Sequence, residues 1–170
     1  QVLLEHARHY VTGEPMPEDL LNRLLAARTF NQGFATVEYA SSAIVDMTLH
    51  LSSAGENGLD VLAFEADALE RIAMPAELSM RPRSPHFAHI FSGDGYAAGY
   101  YSYLWSEVLD ADAFDAFREA GDIFHPETAA RLRRYIYGAG NLRNPKEAYT
   151  AFRGRLPSID PLLRKRGLAA

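Results

Sequence analysis

His86-Phe-Ala-His89-Ile-Phe-Ser-Gly93-Asp-Gly95-Tyr96-Ala-Ala-Gly99-Tyr100-Tyr101-Ser-Tyr103-Leu-Trp105-Ser-Glu107 crowds two histidines, three glycines and four tyrosines into one segment. Tyr96, Tyr100 and Tyr103 stand at i, i+4 and i+7 and share a face if the segment is helical. This spacing predicts a helix from about Tyr96 to Leu109, with Tyr101, Leu104, Trp105 and Val108 free to pack on its other sides. Gly93 and Gly95 would leave the approach to that helix loose, and Asp94 between them is placed to cap it. Phenols and imidazoles are donors that stabilise charge developing on a carbonyl oxygen. A row of phenols behind a glycine loop therefore reads as a donor array facing a cleft. The same spacing equally describes amphipathic core tyrosines with their hydroxyls at the surface. Gly93-Asp-Gly95 is no dinucleotide fingerprint, because no strand precedes it and the spacing differs.

Outward from this segment the chain reads as nearly all helix. Val2–Val11 has helical spacing and stops at Thr12-Gly13. Pro15 and Pro17 open a second helix, with Glu18 and Asp19 in its first turn, where carboxylates suit the dipole. Gln32–Leu51 is long and rich in small residues, with Phe34, Val37, Ala40, Ala43, Ile44, Met47 and Leu51 recurring at three and four. Ser52 to Gly58 reads as a loop. Asp60 can cap a helix to about Ile72, and Met80-Arg-Pro-Arg-Ser-Pro85 cannot be helical throughout. Further helices are expected over Ala111–Ala120, Pro126–Tyr137, Pro145–Phe152 and from Asp160-Pro161 onward. No period-2 alternation is long enough to predict a strand.

With 170 residues, 48% of them hydrophobic and 23% charged, the chain has enough material for one compact folded unit. A net charge of −5 gives no basic footprint for nucleic acid. The absence of cysteine removes disulfides, thiolate nucleophiles and cysteine-held zinc, and fits a reducing, cytoplasmic setting. No apolar run approaches the roughly 20 residues that span a bilayer. The chain opens Gln1-Val-Leu-Leu, already helical, and is expected to be the C-terminal piece of something longer.

The other histidines carry little chemistry. Nowhere does His-Glu-x-x-His occur, the helical pattern that sets two ligands one turn apart around a general base. His6 and His9 read as a helix-surface pair, His86 as structural and His125 as a loop residue. His50 ends a long helix, where a cation suits the dipole. The basic runs Phe152-Arg-Gly-Arg155 and Leu162-Leu-Arg-Lys-Arg166 suggest a helix end decorated with cations or buried arginine–carboxylate pairs, with Glu38 and Asp46 as the arginines' expected partners.

Over essentially its whole length the chain resembles the C-terminal end of the thimet oligopeptidase family of zinc peptidases. The anchors are Ala7-Arg-His-Tyr10 with Thr12-Gly-Glu-Pro15, Phe30-Asn-Gln-Gly33, Gly95 through Trp105, Ala111-Asp-Ala-Phe114, and Phe152-Arg-Gly-Arg155 through Leu168. The Ala97-Ala-Gly-Tyr-Tyr101 wording leans towards the peptidyl-dipeptidase branch. The resemblance implies an all-α, multi-helix portion of a zincin-like catalytic domain, with residues 1–170 as one helical unit. It also implies that zinc, its ligands and the general base lie upstream of Gln1. This chain would then be the wall opposite the metal, binding no zinc of its own and inactive alone.

Carried over by position, Tyr103 would hydrogen-bond the oxyanion and His89 would help hold the scissile carbonyl. Tyr96 and Tyr100, with the Gly93 and Gly95 loop, would meet the backbone or C-terminal carboxylate of a short peptide substrate. One departure stands out: the loop reads Gly93-Asp94-Gly95 where the family commonly has Gly-Gly, and His89 lies seven residues before Tyr96. Exposed apolar surface and self-association are expected of such a piece. The rival is a non-catalytic helical module that grips partners with its tyrosine face. An upstream His-Glu-x-x-His would favour the enzyme, and an independent start codon near Gln1 the module.

Overall fold

A twenty-residue helix, Gln32–Leu51, is the spine of the computed structural model, which describes residues 2–52 and 58–169. It is α3, after α1 (Val2–His6) and α2 (Glu18–Ala27). Next come α4 (Val61–Arg71), a 3-10 turn over Ser84–His86, α5 (Ala88–Phe91) and α6 (Ser102–Glu119). Then follow α7 (Pro126–Leu132), which runs on as a π-helical turn through Arg133–Tyr137, α8 (Pro145–Arg153) and α9 (Asp160–Lys165). Among the described residues there is no strand, only an isolated bridge between Arg8 and Pro15. The expected all-α class holds, and no described helix is long and apolar enough to cross a membrane.

The starts of α2, α3, α4, α7, α8 and α9 fall where proline, carboxylate and spacing put them. Asp60 caps α4 by accepting from the backbone N–H groups of Leu62 and Ala63 at 3.1 and 3.0 Å. Asn144 does the same for α8 through Lys146 N–H. His125 is more than a loop residue, because its Nδ1 accepts from Thr128 N–H and caps α7. The first helix is shorter than expected. It stops at His6 because the His9 imidazole accepts from Thr12 N–H at 3.2 Å and the chain doubles back. Residues 53–57 of the expected loop lie outside the described residues.

Two expectations about α6 fail together. The helix begins at Ser102 rather than Tyr96, and it runs unbroken to Glu119 where two helices were expected. Asp94 lies eight residues before this start and caps nothing there. Tyr101 and Trp105, expected to pack, are exposed, while Val108 is buried and Leu104 half-buried.

Among the described residues the core lies in three patches. Val45 of α3, Ala68 and Leu69 of α4, and Met80, Phe87 and Ile90 form the first. Val108 and Ala111 of α6 with Leu162 of α9 form the second. Ala116 of α6 with Tyr149 and Phe152 of α8 form the third. On α3 the inward face carries Ser41, Ser42, Val45 and Asp46, whereas Phe34, Val37, Ile44 and Leu51 of the apolar stripe are exposed. Small and polar residues face inward because irregular backbone runs against them: Ser42 Oγ donates to the Arg81 carbonyl.

The arginine pairs form, but with other carboxylates than Glu38 and Asp46. Asp112, fully buried on α6, holds Arg153 Nε at 3.2 Å and Arg155 at 2.7 Å. Arg153 also makes a two-pronged bond to Glu119, 2.6 Å on each branch. Tyr149 donates to Asp112 at 2.7 Å. Burial alone would raise the Asp112 carboxyl, but Tyr149, Arg155, the Ser158 N–H and Arg153 together hold it below the usual range.

Candidate functional site

The tyrosine cluster is built by three segments that meet beside α3. Short helix α5 carries His89, the turns between Ser92 and Tyr101 carry Tyr96 and Tyr100, and the first turn of α6 carries Tyr103. Tyr96 and Tyr100 are therefore not on a helix, yet they still come together with Tyr103. The bend is made by Ala98 in a left-handed conformation, with φ of 54°, and by Gly99. A Cβ at Gly99 would sit 3.3 Å from Tyr96 Cα, so this is the glycine the turn needs. Gly93 and Gly95 are different: a Cβ at either would meet nothing within 4 Å, and neither has a positive φ. They lie on the exposed approach to the cluster rather than under strain.

His89 is the hub. Its Nε2 lies 2.9 Å from the Tyr103 hydroxyl. Its ring lies 4.4 Å from the Tyr96 ring and 5.7 Å, edge on, from that of Tyr100. The rings of Tyr96 and Tyr103 are parallel at 5.6 Å, and Tyr100 meets Tyr103 edge on at 5.3 Å. His86, in the preceding 3-10 turn, joins none of these contacts and is exposed.

The two descriptions that spacing left open are divided among the residues. Tyr100 packs its ring edge on against buried Phe87 at 4.9 Å and belongs in part to the core. Tyr96 and Tyr103 keep 39% and 40% of their surface open and can meet a ligand. The Tyr103 phenol is pushed up to about 12, first by the neighbouring Tyr96 hydroxyl, then by partial desolvation and the phenols around it. It therefore keeps its proton across neutral pH and remains a donor.

Two residues that the sequence did not single out for this site hold it in place. Both lie on one face of α3, seven residues apart. The Tyr39 hydroxyl donates to the Tyr100 carbonyl and accepts from Leu104 N–H at 3.3 Å. Its ring stacks on Tyr100 at 5.3 Å, and burial pushes its phenol up. Asp46, expected to pair with an arginine, is fully buried and instead accepts from the N–H groups of Ala98 and Tyr100 at 3.0 and 2.9 Å. His50 Nδ1 lies 2.9 Å from the same carboxylate. The only signal in the sequence is an acid within a largely apolar helix, which points equally to the C-terminal arginines.

Among the described residues no three His, Asp or Glu side chains come together as a metal site. The cluster itself offers phenols and a single imidazole, a donor set that does not fit zinc.

The sequence profile of peptidase family M3 matches residues 1–168. The chain is 41% identical over 170 residues to the dipeptidyl carboxypeptidase of Escherichia coli (strain K12), covering 99% of this chain and 24% of that protein. Against the organellar oligopeptidase A, chloroplastic/mitochondrial, of Arabidopsis thaliana, identity is 42% over 177 residues, 99% of this chain and 22% of the relative. Against oligopeptidase A of Escherichia coli (strain K12) it is 39% over 161 residues, 94% of this chain and 23% of the relative. The chain thus spans about a quarter of the length of the curated relatives it matches. With 168 of its 170 residues matched by the profile, the chain belongs to peptidase family M3.

Proposed function

We propose that this chain is the donor wall of a peptidase active site, one helical unit of a larger catalytic domain that hydrolyses short peptides. The observation that carries the reading is the contact of His89 Nε2 with the Tyr103 hydroxyl at 2.9 Å, beside an open Tyr96 ring. When Nε2 carries the ring proton, it donates to the Tyr103 oxygen and leaves the phenol proton free to turn outward. That proton is offered to the oxygen of a scissile carbonyl as it gains charge. A phenol held near 12 does not surrender its proton at neutral pH, so Tyr103 stabilises the oxyanion without becoming an anion itself. Tyr96 and the open edge of Tyr100 supply flat, hydrogen-bonding surface for substrate backbone or a terminal carboxylate. Gly93 and Gly95 leave the approach unobstructed.

The resemblance assigns zinc and its ligands to the upstream part of the parent. The Ala97-Ala-Gly-Tyr-Tyr101 wording leans towards a peptidyl-dipeptidase, while the dipeptidyl carboxypeptidase and the oligopeptidase A relatives are equally similar to this chain. A cytoplasmic setting rests on the lack of cysteine.

Elemental analysis after dialysis, paired with a peptide assay, tests this assignment. The full-length protein carrying this chain should hold stoichiometric zinc and cleave short peptides, and the isolated chain should do neither. Tight one-to-one zinc on the isolated chain would overturn the placement of the chemistry.

A further inference from the structure

Asp46 is a carboxylate with no exposed surface, no lysine or arginine partner among the described residues and no place in the chemistry above. A buried carboxylate is costly unless its oxygens are hydrogen-bonded. Here each oxygen takes one backbone N–H: Oδ1 from Ala98 and Oδ2 from Tyr100, while His50 Nδ1 closes on Oδ1 at 2.9 Å. The turn it grips has one short closing bond of its own, from Gly99 N–H to the Tyr96 carbonyl at 2.9 Å, and a strained residue at its centre. Ala98 has φ of 54°, a region that residues with a Cβ rarely occupy and that persists only when the surroundings enforce it. The Tyr39 hydroxyl grips the far side of the same residue, at the Tyr100 carbonyl, and also takes Leu104 N–H at the start of α6. Residues 39 and 46 are two helical turns apart on the rigid α3, so one helix face holds Tyr100 by both its N–H and its carbonyl.

We infer that Asp46 and Tyr39 are positioning residues for peptide hydrolysis, fixing the Ala98–Tyr100 turn so that Tyr96, Tyr100 and Tyr103 meet the substrate in one arrangement. The inference rests on the proposed role of Tyr103 as oxyanion donor. Asn at position 46 keeps one acceptor oxygen but turns an NH2 group towards a backbone N–H, so one grip is lost and a donor faces a donor. Phe at position 39 removes only the hydroxyl.

A double-variant cycle in the full-length protein tests this. Asp46→Asn should lower kcat about a hundredfold, the scale of an ångström's misplacement of catalytic groups, and raise KM as well, because Tyr96 and Tyr100 meet the substrate. Tyr39→Phe should move kcat the same way by about tenfold, and it carries the test if Asp46→Asn does not fold. Combined with Tyr103→Phe, either change should cost less than about threefold more, because a misaligned donor that is already absent cannot be lost again. In hydrogen exchange, the Ala98 and Tyr100 amides should lose protection in Asp46→Asn while the Val45 and Ala68 amides keep theirs. A double variant whose loss equals the product of the two single losses would overturn the positioning role and leave the Tyr103 reading standing. A Tyr103→Phe variant with unchanged kcat would overturn that reading and this inference with it.

Discussion

The Tyr103 phenol and the Asp112 carboxylate show how neighbours set what a titratable side chain can do. Tyr103 sits among other phenols, so its proton is held beyond the usual tyrosine range, at about 12. The unfolded chain would release that proton first, near 10, so this phenol lowers stability only as pH climbs from about 10 towards 12. At neutral pH it is a donor and nothing else. Asp112 lies on the acid side of the same logic. Its folded carboxyl is held below the usual value by Tyr149, Arg155, the Ser158 N–H and Arg153 against the opposing effect of burial. The contribution is therefore present above the unfolded value near 4 and is lost as pH falls through the lower folded value. Asp112→Ala leaves Arg153, whose side chain is only 6% exposed, without its buried partner. Glu119 still pairs with Arg153, so the expected cost is about 1–3 kcal/mol in urea unfolding at pH 7. The difference from the native chain should shrink in acid, and an unchanged unfolding midpoint at pH 7 would contradict the role given to this cluster.

At the scale of elements, starts were legible and continuations were not. Proline and side-chain caps are local, so Pro17, Asp60, Pro126, Pro145 and Asp160-Pro161 mark helix beginnings without help from tertiary structure. The segment from Tyr96 to Tyr101 misled because i, i+4, i+7 spacing is satisfied equally by a helix and by a turn folded against one. What decides between them is Asp46, fifty-two residues from Ala98 in sequence, and no local pattern carries that contact. The inward face of α3 was obscure for the same reason: Ser42 and Asp46 fall outside the apolar stripe, and the distant backbone they bond does not show in the local pattern. The spacing of Tyr96, Tyr100 and Tyr103 anticipates that they share a face, though on a turn and not a helix, and the family resemblance adds His89. The π-helical turn at Arg133–Tyr137 left no trace in the pattern except Gly138. Its N–H donates to the Arg133 carbonyl at 2.7 Å, and a Cβ there would lie 2.9 Å from that oxygen. Gly138→Ala should therefore destabilise by about 1–3 kcal/mol, read from thermal unfolding, and a neutral result would mean the turn relaxes without cost.

At the scale of the molecule, large apolar side chains are left uncovered. Leu20, Leu24 and Leu25 on α2, Phe34, Val37 and Ile44 on α3, and Tyr101 and Trp105 beside the cluster are all exposed. By contrast α9 is tied down, with Leu162 in the core and with Arg164–Asp115, Lys165–Asp110 and Arg166–Glu107 pairs to α6. These exposed pairs add little individually, so the packing of Leu162 does most of the fastening. Apolar surface on this scale seeks a cover. In sedimentation velocity the isolated chain should self-associate as concentration rises, and a clean monomer at high concentration would count against that expectation. The remaining question is whether the cluster that this scaffold positions does the chemistry assigned to it. The most direct measurement is kcat for Tyr103→Phe in the full-length protein on a short peptide substrate. Loss of one oxyanion donor predicts a fall of about a hundred- to a thousandfold with KM within a few-fold. A kcat equal to that of the unaltered protein would contradict the assignment of Tyr103 and the donor wall built around it.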